Sequence, residues 1–128
     1  MSNKLTNDFH LREFKCNDGT QVPANLLCNV QELAENLQVL RDFIGVRINL
    51  NSGYRTKTYN EKVGGSPRSQ HLLAKAGDLV TPKHTPKQLA AIIKKLISEG
   101  KMKQGGVGVY PSFVHYDTFF DGKNPRRW

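Results

Sequence analysis

Apolar residues at helical spacing predict a long helix in the first third of the chain. Asn29 is placed to cap this helix, Glu32 follows as a capping-box partner, and Gly45 is placed to end it. Because an α-helix has 3.6 residues per turn, apolar residues three or four positions apart share one face. The face expected to be buried consists of Val30, Leu33, Leu37, Leu40 and Ile44.

A second helix is predicted after Thr85. Thr85 is its N-cap, Pro86 takes the first helical position, and Gln88 completes a capping box. Gly100 marks the predicted end of this helix. Its buried face is expected to comprise Leu89, Ile92, Ile93, Leu96 and Ile97.

Short strands are predicted around these helices, where apolar and polar residues alternate with a period of two. The predicted strands cover residues 46–50, 78–81, 106–110 and 113–119. Residues 56–63 are predicted to form a short helix, and residues 9–17 an extended lead-in that Phe14 anchors on the core. Two long helices flanking several short strands predict a small α+β fold with a mostly antiparallel sheet.

The composition is that of a globular chain. Of 128 residues, 38% are apolar and 23% are charged. This predicts one domain over residues 1–128, with a core large enough to be stable without a disulfide or a structural metal. No apolar run reaches the roughly 18 residues of a membrane helix, so no membrane span is predicted. Residues 1–20 lack the apolar segment of a signal peptide, which predicts synthesis in the cytoplasm without a secretory signal.

Two cysteines, Cys16 and Cys28, are too few for a disulfide framework. Neither belongs to a C-x-x-C pair, so a zinc site built on cysteine is not expected. Two reduced thiols are favoured because disulfides are uncommon in the cytosol, and a single bridge that ties down the N-terminal segment is the alternative.

Charge and motifs narrow the function classes. The net charge of +8 favours an anionic partner, either nucleic acid or an anionic cell envelope. The basic residues are dispersed, and no aromatic residues alternate with them as in a surface that stacks single-stranded nucleic acid. This argues against nucleic acid as the partner, although composition alone leaves both partners open. The sequence also contains no H-E-x-x-H helix, no G-x-S-x-G turn and no Walker loop.

Two separated stretches could together build a metal site. His115 and Asp117 are two positions apart in a predicted strand, so their side chains share one face, roughly 6.5–7 Å apart. Gly77 discourages a continuous helix between His71 and Asp78, and a turn there could aim both side chains at His115. Two imidazoles and one or two carboxylates suit catalytic zinc, which usually has three protein ligands and one open position. From the spacing alone, the alternative stays open that His71 is an exposed loop residue and His115 a hydrogen-bonded core residue.

Several motifs follow one another in a recognisable order. They are Ser52-Gly53-Tyr54-Arg55, Ser69-Gln70-His71 with Ala76-Gly77-Asp78, Gly106-Val107-Gly108-Val109-Tyr110-Pro111, and Phe113-Val114-His115-Tyr116-Asp117. In this order the chain resembles the M15 peptidases, which are zinc D-alanyl-D-alanine carboxypeptidases and peptidoglycan endopeptidases that share a fold with the Hedgehog signalling domain. The resemblance extends from about Phe9 to Trp128, and this family often ends in a similar basic and aromatic tail.

The resemblance implies roles for individual residues. His71, Asp78 and His115 match the zinc ligands of the family. Arg55 matches the arginine that binds a carboxylate or carbonyl of the stem peptide, a task suited to its planar fork of donors. Ser69 matches a residue near the substrate, and it could equally serve to form a turn.

One position departs from the better-known members. They carry an acidic general base three residues before the final zinc histidine, where this chain has Ser112. Asp117 is the nearest carboxylate on the same strand face and is the candidate for the base, or for a residue that orients the site. In a related branch, the second member of a His-x-His pair binds the metal. In that register Asp117 would be the ligand and His115 a catalytic helper.

We therefore expect a monomeric, zinc-dependent peptidase that hydrolyses amide bonds in peptidoglycan stem peptides or cross-links, as a D,D-carboxypeptidase or an endopeptidase. The missing signal peptide suggests a phage or prophage endolysin that acts on the cell wall or in the periplasm after release by a separate lysis system. A host enzyme trimmed of its signal peptide would have the same sequence features. The basic surface would help binding to the anionic wall. The alternative is a non-catalytic binding module of the same fold that keeps the zinc, and Ser112 is the feature that favours it.

Overall fold

The computed structural model describes residues 3–128 and contains one antiparallel sheet. The strands are β1 (Asn49–Ser52), β2 (Ala76–Val80), β3 (Val107–Val109) and β4 (Val114–Asp117). The helices are α1 (Leu27–Ile44), α2 (Lys57–Lys62) and α3 (Pro86–Ser98), and short 3-10 turns lie at Leu11–Phe14, Ala24–Leu26 and Gln70–Leu73. The strands are ordered β1-β2-β4-β3. The predicted α+β fold, a small antiparallel sheet with helices, is confirmed.

One face of the sheet belongs to the hydrophobic core. Leu79 of β2 and the pair Val114 and Tyr116 of β4 are fully buried there with the apolar faces of the helices. Burying a side chain of this size stabilises the fold by roughly 1.5–3 kcal/mol. The predicted buried faces of α1 and α3 are confirmed, except that Ile44 and Ile92 are only partly buried at the margin.

The other face carries a row of polar residues across all four strands. Ser52 of β1 pairs with Asp78 of β2. Asp78 pairs in turn with His115 of β4, whose other partner is Gly108 of β3. Directly opposed residues of antiparallel strands point to the same face, so these four residues form one line, called the polar row below. Its three side chains are buried, which costs free energy unless each has a partner.

Most predicted helix ends are confirmed. In the capping box of α3, the Thr85 hydroxyl accepts from the Gln88 amide at 3.1 Å, and the Thr85 amide donates to the Gln88 side chain at 2.9 Å. Thr56 caps α2 by accepting from the amide of Tyr59, and Gly45 follows α1 in the left-handed region with a φ of 70°. Within residues 3–128, none of the helices combines the length and the apolar character that crossing a membrane requires.

The first helix begins earlier than predicted. A 3-10 turn that follows Pro23 leads directly into α1, which therefore starts at Leu27. Asn29 lies inside the first turn, where its side-chain amide donates to the carbonyl of Leu73 at 2.9 Å. The prediction that Asn29 caps this helix with Glu32 as its partner is therefore wrong.

The strand boundaries also differ from the prediction. β1 begins at Asn49 and not at residue 46, because its partner strand ends at Val80, which pairs with Asn49. β4 ends before residue 119, because the amide of Phe119 donates to the side chain of Asp117 and not to a neighbouring strand.

The N-terminal segment is anchored as predicted but shaped differently. Phe14 is fully buried in the core. Residues 11–14 form a 3-10 turn, so the extended conformation predicted for residues 9–17 is wrong in its centre. Cys16 is buried, Cys28 is exposed, and both are free thiols, so the alternative of a bridge between them is not realised.

Candidate metal centre

Three buried side chains converge beside the sheet. Asp78 Oδ1 lies 3.2 Å from His71 Nε2 and 3.3 Å from His115 Nδ1. One ligand atom from each residue lies within 4.8 Å of the other two. The relative exposure of His71, Asp78 and His115 is 2%, 4% and 8%. The structure therefore brings together the three residues that the sequence singled out, called the His-Asp-His cluster below.

His71 reaches the cluster from a turn, whereas the other two members lie on strands. Ser69 caps this 3-10 turn, since its hydroxyl accepts from the amide of His71 at 3.2 Å. The turn ends at Ala74, a buried residue with a φ of 55°, a conformation that non-glycine residues rarely adopt. The chain then reverses into β2, which brings Asp78 next to His71.

Each imidazole has one nitrogen facing the cluster and one facing an acceptor. Nδ1 of His71 lies 2.6 Å from the carbonyl oxygen of Gly53, so in the neutral ring Nδ1 carries the proton and Nε2 the lone pair. Nε2 of His115 lies 2.7 Å from Asp117 Oδ2, so Nε2 carries the proton and Nδ1 the lone pair. In these neutral tautomers both lone pairs face Asp78, which is the arrangement that metal binding by neutral imidazole requires. Without a metal, these nitrogens donate to the Asp78 carboxylate only when they carry a proton.

The charges of the cluster are coupled. Burial alone would raise the pKa of the Asp78 carboxyl, but hydrogen bonds with His115 and His71 outweigh it and hold this pKa well below its ordinary value. Burial alone would lower the pKa of the His115 imidazole, but hydrogen bonds with Asp117 and Asp78 raise it. Burial would also raise the pKa of Asp117, but hydrogen bonds with His115 and the Gly106 amide lower it to about 2. Both carboxyl groups are therefore anionic at neutral pH, and they favour a cation beside them.

The donor set fits a zinc ion. Zinc binds imidazole nitrogen and carboxylate oxygen at about 2.0–2.2 Å in a tetrahedral arrangement, so two of its ligand atoms lie roughly 3.3–3.5 Å apart. Asp78 Oδ1 lies at 3.2 and 3.3 Å from the two histidine nitrogens, close to that spacing. Three protein ligands leave one position open, as in catalytic zinc sites.

Arg55 is fixed beside the cluster by three side chains. Its Nη2 donates to Asp78 Oδ2 at 3.3 Å, its Nε to the Ser52 hydroxyl at 3.1 Å, and its Nη1 to Asn60 Oδ1 at 3.2 Å. The planar guanidinium reaches all three because its donors point in fixed, different directions. Arg55 also lines the cavity described below, and two of the five N–H groups of its guanidinium lie outside these three hydrogen bonds.

Asp117 lies on the far side of the His115 ring from the cluster. It is fully buried, and its Oδ2 faces His115. Its Oδ1 accepts from the amides of Gly106 and Phe119, at 3.0 and 3.1 Å, and pairs with the guanidinium of Arg126. Both carboxylate oxygens are therefore engaged away from the nitrogens that face the His-Asp-His cluster.

The cluster borders a cavity of about 390 Å³, a volume suited to a small ligand. Ser69 also lines it. Ser112, at the position of the family's general base, is exposed in the turn between β3 and β4 and is not among the lining residues. Three arginines and three aromatic residues complete much of the wall: Arg55, Arg68, Arg126, Tyr110, Phe113 and Trp128.

Comparison with known protein families decides the identity. A family model described as Peptidase M15 matches residues 3–117. The chain belongs to this family. M15 peptidases are zinc-dependent, and at the level of the family this M15 protein is a cell-wall peptidase. No curated protein matches the chain.

A solved structure with a similar fold is the crystal structure of the Serratia marcescens L-Ala D-Glu endopeptidase ChiX. It is 18% identical to this M15 protein with a TM-score of 0.48, and the match covers 77% of this chain and 90% of that chain. A likeness of this degree carries no conclusion about the site.

Several residues that build the site give no direct signal in the sequence. Asn60 and Arg126 hold Arg55 and Asp117, yet each lies five or more positions away along the chain. Gly106 is required beside the site, because a Cβ there would lie 2.5 Å from the Asp117 carboxylate. The sequence shows the glycine, but only the fold shows the neighbour that requires it.

Proposed function

We propose that this M15 protein is a zinc-dependent peptidase that hydrolyses amide bonds in bacterial peptidoglycan stem peptides or cross-links. The observation that carries the proposal is the buried His-Asp-His cluster, whose ligand atoms lie within 4.8 Å of one another beside a cavity of about 390 Å³. Membership of the M15 family supports the reaction class and a peptidoglycan-derived substrate.

The proposed metal ligands are His71 Nε2, Asp78 Oδ1 and His115 Nδ1. A zinc ion bound by them would supply Lewis-acid polarisation of a carbonyl and lower the pKa of water. The chain itself contributes orientation, since the Gly53 carbonyl and the Asp117 carboxylate each hold one imidazole in the required tautomer. Because the cluster is buried, bulk water does not screen its charges.

Arg55 is proposed to have two tasks. It holds Asp78 through Nη2, and its remaining N–H groups bind a carbonyl or carboxylate of the substrate. Arg68 adds a second, exposed cation to the cavity lining, which favours an anionic peptide. Ser69 is proposed to act chiefly as the cap of the turn that carries His71, at the border of the substrate cavity.

Asp117 is proposed to be a positioning residue and not the general base. The support is that its oxygens bind His115 Nε2, two amides and Arg126, on the far side of the imidazole. The same contacts favour His115 over Asp117 as the third ligand. We further propose that the activity resides in one monomeric domain that acts on the cell wall, to which the net charge of +8 attracts it.

Purified sacculi provide the direct test. Protein treated with a chelator and dialysed should release no peptide fragments, and added zinc should restore release. Mass spectrometry of the fragments would identify the bond that is cut. Asp78→Asn should abolish release, whereas Asp121→Asn, an exposed carboxylate outside the site, should retain it. Undiminished activity after zinc removal would exclude the proposed mechanism.

The second candidate is a non-catalytic, zinc-containing binding module. One observation favours it. Among the described residues lining the cavity, the only side-chain carboxylates are those of Asp78 and Asp117, and each is already paired with an arginine. Neither is therefore available as a general base. Such a module should sediment with sacculi and bind zinc while releasing no fragments. Release that depends on zinc would exclude it.

A further inference from the structure

The indole of Trp128, the single tryptophan of the chain, lies on the ring of a proposed zinc ligand. The ring centroids of Trp128 and His115 are 4.9 Å apart, and the rings are tilted by 45°. The His115 ring also makes an edge contact with the ring of His71 at 5.2 Å. Contacts with two neighbouring rings limit the rotation of His115.

The backbone fixes the position of Trp128. Its amide donates to the carbonyl of Val107 at 3.1 Å, and its carbonyl accepts from the amide of Val109 at 2.7 Å. Val107 also forms a parallel bridge with Arg127, so this tail lies along the outer side of β3. The side chain of Arg127 adds a hydrogen bond to the carbonyl of Gly105 at 2.7 Å. The indole is therefore delivered to the cavity by an ordered segment.

Gly108 makes room for the indole. A Cβ at this position would lie 2.3 Å from Trp128 Cε2, a distance at which the two atoms cannot coexist. Gly108 is the member of the polar row without a side chain, and it pairs directly with His115. Because Gly108 has no side chain, the indole can lie over β3 and contact His115.

The indole continues into a surface of aromatic rings. Trp128 Nε1 donates to the hydroxyl of Tyr110 at 2.8 Å, and Tyr110 stacks on Phe113 with centroids 4.5 Å apart. All three residues line the cavity, and Trp128 is still 48% exposed. Clustered apolar surface beside a polar site is typical of a surface that a ligand covers. We call Tyr110, Phe113 and Trp128 the aromatic wall.

We propose that Trp128 is a positioning and specificity-determining residue of this peptidase. One part of the indole holds the His115 ring, and its exposed part packs with the rest of the aromatic wall against an aliphatic portion of the substrate peptide beside the scissile amide. The substrate contact rests on the proposed function, whereas the contact with His115 does not.

Tryptophan fluorescence tests the contact with His115, because Trp128 is the single tryptophan and can be excited at wavelengths that the four tyrosines do not absorb. Zinc titrated into chelator-treated protein should change the emission saturably as His115 becomes a ligand. In Gly108→Ala the added methyl group displaces the indole, so the emission should start at longer wavelength and lose its response to zinc. An emission that does not change at zinc concentrations that raise the unfolding temperature would overturn the contact.

Kinetics with a synthetic stem pentapeptide test the substrate contact. Trp128→Ala should raise KM roughly tenfold, the size expected for one lost aromatic packing contact, with a smaller change in kcat. Trp128→Phe should recover most of this loss. Phe120→Ala, which removes an exposed aromatic residue outside the cavity, should keep the wild-type KM. A wild-type KM in both Trp128→Ala and Gly108→Ala would overturn this inference and leave the proposed function intact.

A wild-type protein that cleaves no pentapeptide or sacculi would instead disprove the proposed function. In that case the same pentapeptide is titrated while the emission of Trp128 is recorded. A saturable change that is absent in Gly108→Ala would support the aromatic wall as a peptide-binding surface. No change in the wild-type emission would overturn it.

Discussion

Asp78 and His115 are direct partners across β2 and β4, and Asp78 Oδ1 lies 3.3 Å from His115 Nδ1. Because hydrogen-bonded strands fix this pair, two of the proposed ligands are in place before any ion binds. Only His71 comes from a turn, which Ser69 and Ala74 shape. Preorganised ligands lose little conformational freedom on binding, which favours high affinity.

Zinc should stabilise the protein through the cluster. At zinc concentrations about 100 times the dissociation constant, binding to the folded state alone contributes about 2.7 kcal/mol, or roughly 10 °C in unfolding temperature. The substitutions His71→Ala and His115→Ala should abolish this shift. His84→Ala, which changes a half-buried histidine outside the cluster, should retain it. Thermal unfolding with zinc and with chelator measures the effect, and a full shift in His71→Ala would contradict the ligand assignment.

Asp117→Asn should weaken the site without removing a ligand. The amide can no longer act as an anionic acceptor for His115 Nε2 and Arg126, so the ring loses its fixed tautomer and orientation. Loss of such an orienting partner typically costs about 10–100-fold in metal affinity or activity. Competition with a fluorescent chelator gives the zinc affinity, with Asp121→Asn as the exposed control. Complete loss of zinc binding would mark Asp117 as a ligand.

Arg55→Lys should impair turnover more than folding. A lysine keeps the charge but cannot bind Ser52, Asn60 and Asp78 together, because it lacks the planar fork of donors. We expect kcat/KM to fall about 10²-fold, as for the loss of a preorganised donor, and stability to fall by about 1–2 kcal/mol. Steady-state kinetics and denaturant unfolding separate the two effects, with the exposed Arg12→Lys as the control. Unchanged kinetics would show that Arg55 has no part in the reaction.

The metal-free protein should lose stability as the pH rises above neutrality. The pKa of His115 is raised in the folded state, so its contribution is complete below the unfolded value of about 6.5 and is lost as the pH passes the folded value. The pKa of Asp117 is lowered to about 2, so its contribution is complete above about 3.9 and is lost as the pH falls toward 2. Chelated protein should therefore be most stable between about pH 4 and pH 6.5.

Zinc should reverse this trend on the alkaline side. A proton and the metal compete for His115 Nδ1. The stabilisation by zinc should therefore grow as the pH rises from about 5.5 toward about 8. This range brackets a pKa above about 6.5. Calorimetric titration in two buffers of different ionisation enthalpy should show proton release at the lower pH. Equal zinc affinity at both pH values would contradict the coupling between His115 and the metal.

The sequence predicted the fold where local signals agree with the tertiary structure. The apolar stripes of α1 and α3 and the capping box of Thr85 and Gln88 are local patterns, and the structure confirms them. The start of β1 is not a local property, because it depends on where β2 ends at Val80. The side chain of Asn29 likewise hydrogen-bonds to Leu73, 44 positions away, and does not cap the helix. The helix instead begins directly after the preceding 3-10 turn.

The sequence likewise predicted some features of the candidate site and not others. Residues with metal-binding chemistry can be found in the sequence, and the motif order placed His71, Asp78 and His115 together in advance. The direction in which Asp117 faces depends on tertiary contacts, since Gly106 and Arg126 reach it from other segments. Spacing along β4 showed that Asp117 shares a face with His115, but not that the imidazole would separate it from the cluster.

The tail that carries Trp128 also protects the sheet. β3 is an outer strand, and an outer strand with unpaired backbone groups is a template for pairing with another chain. The amides of Val107 and Val109 are instead occupied by the carbonyls of Arg126 and Trp128. A protein shortened by these last residues would therefore expose unpaired backbone groups along β3 and self-associate. It would also uncover the ring of His115, a proposed metal ligand.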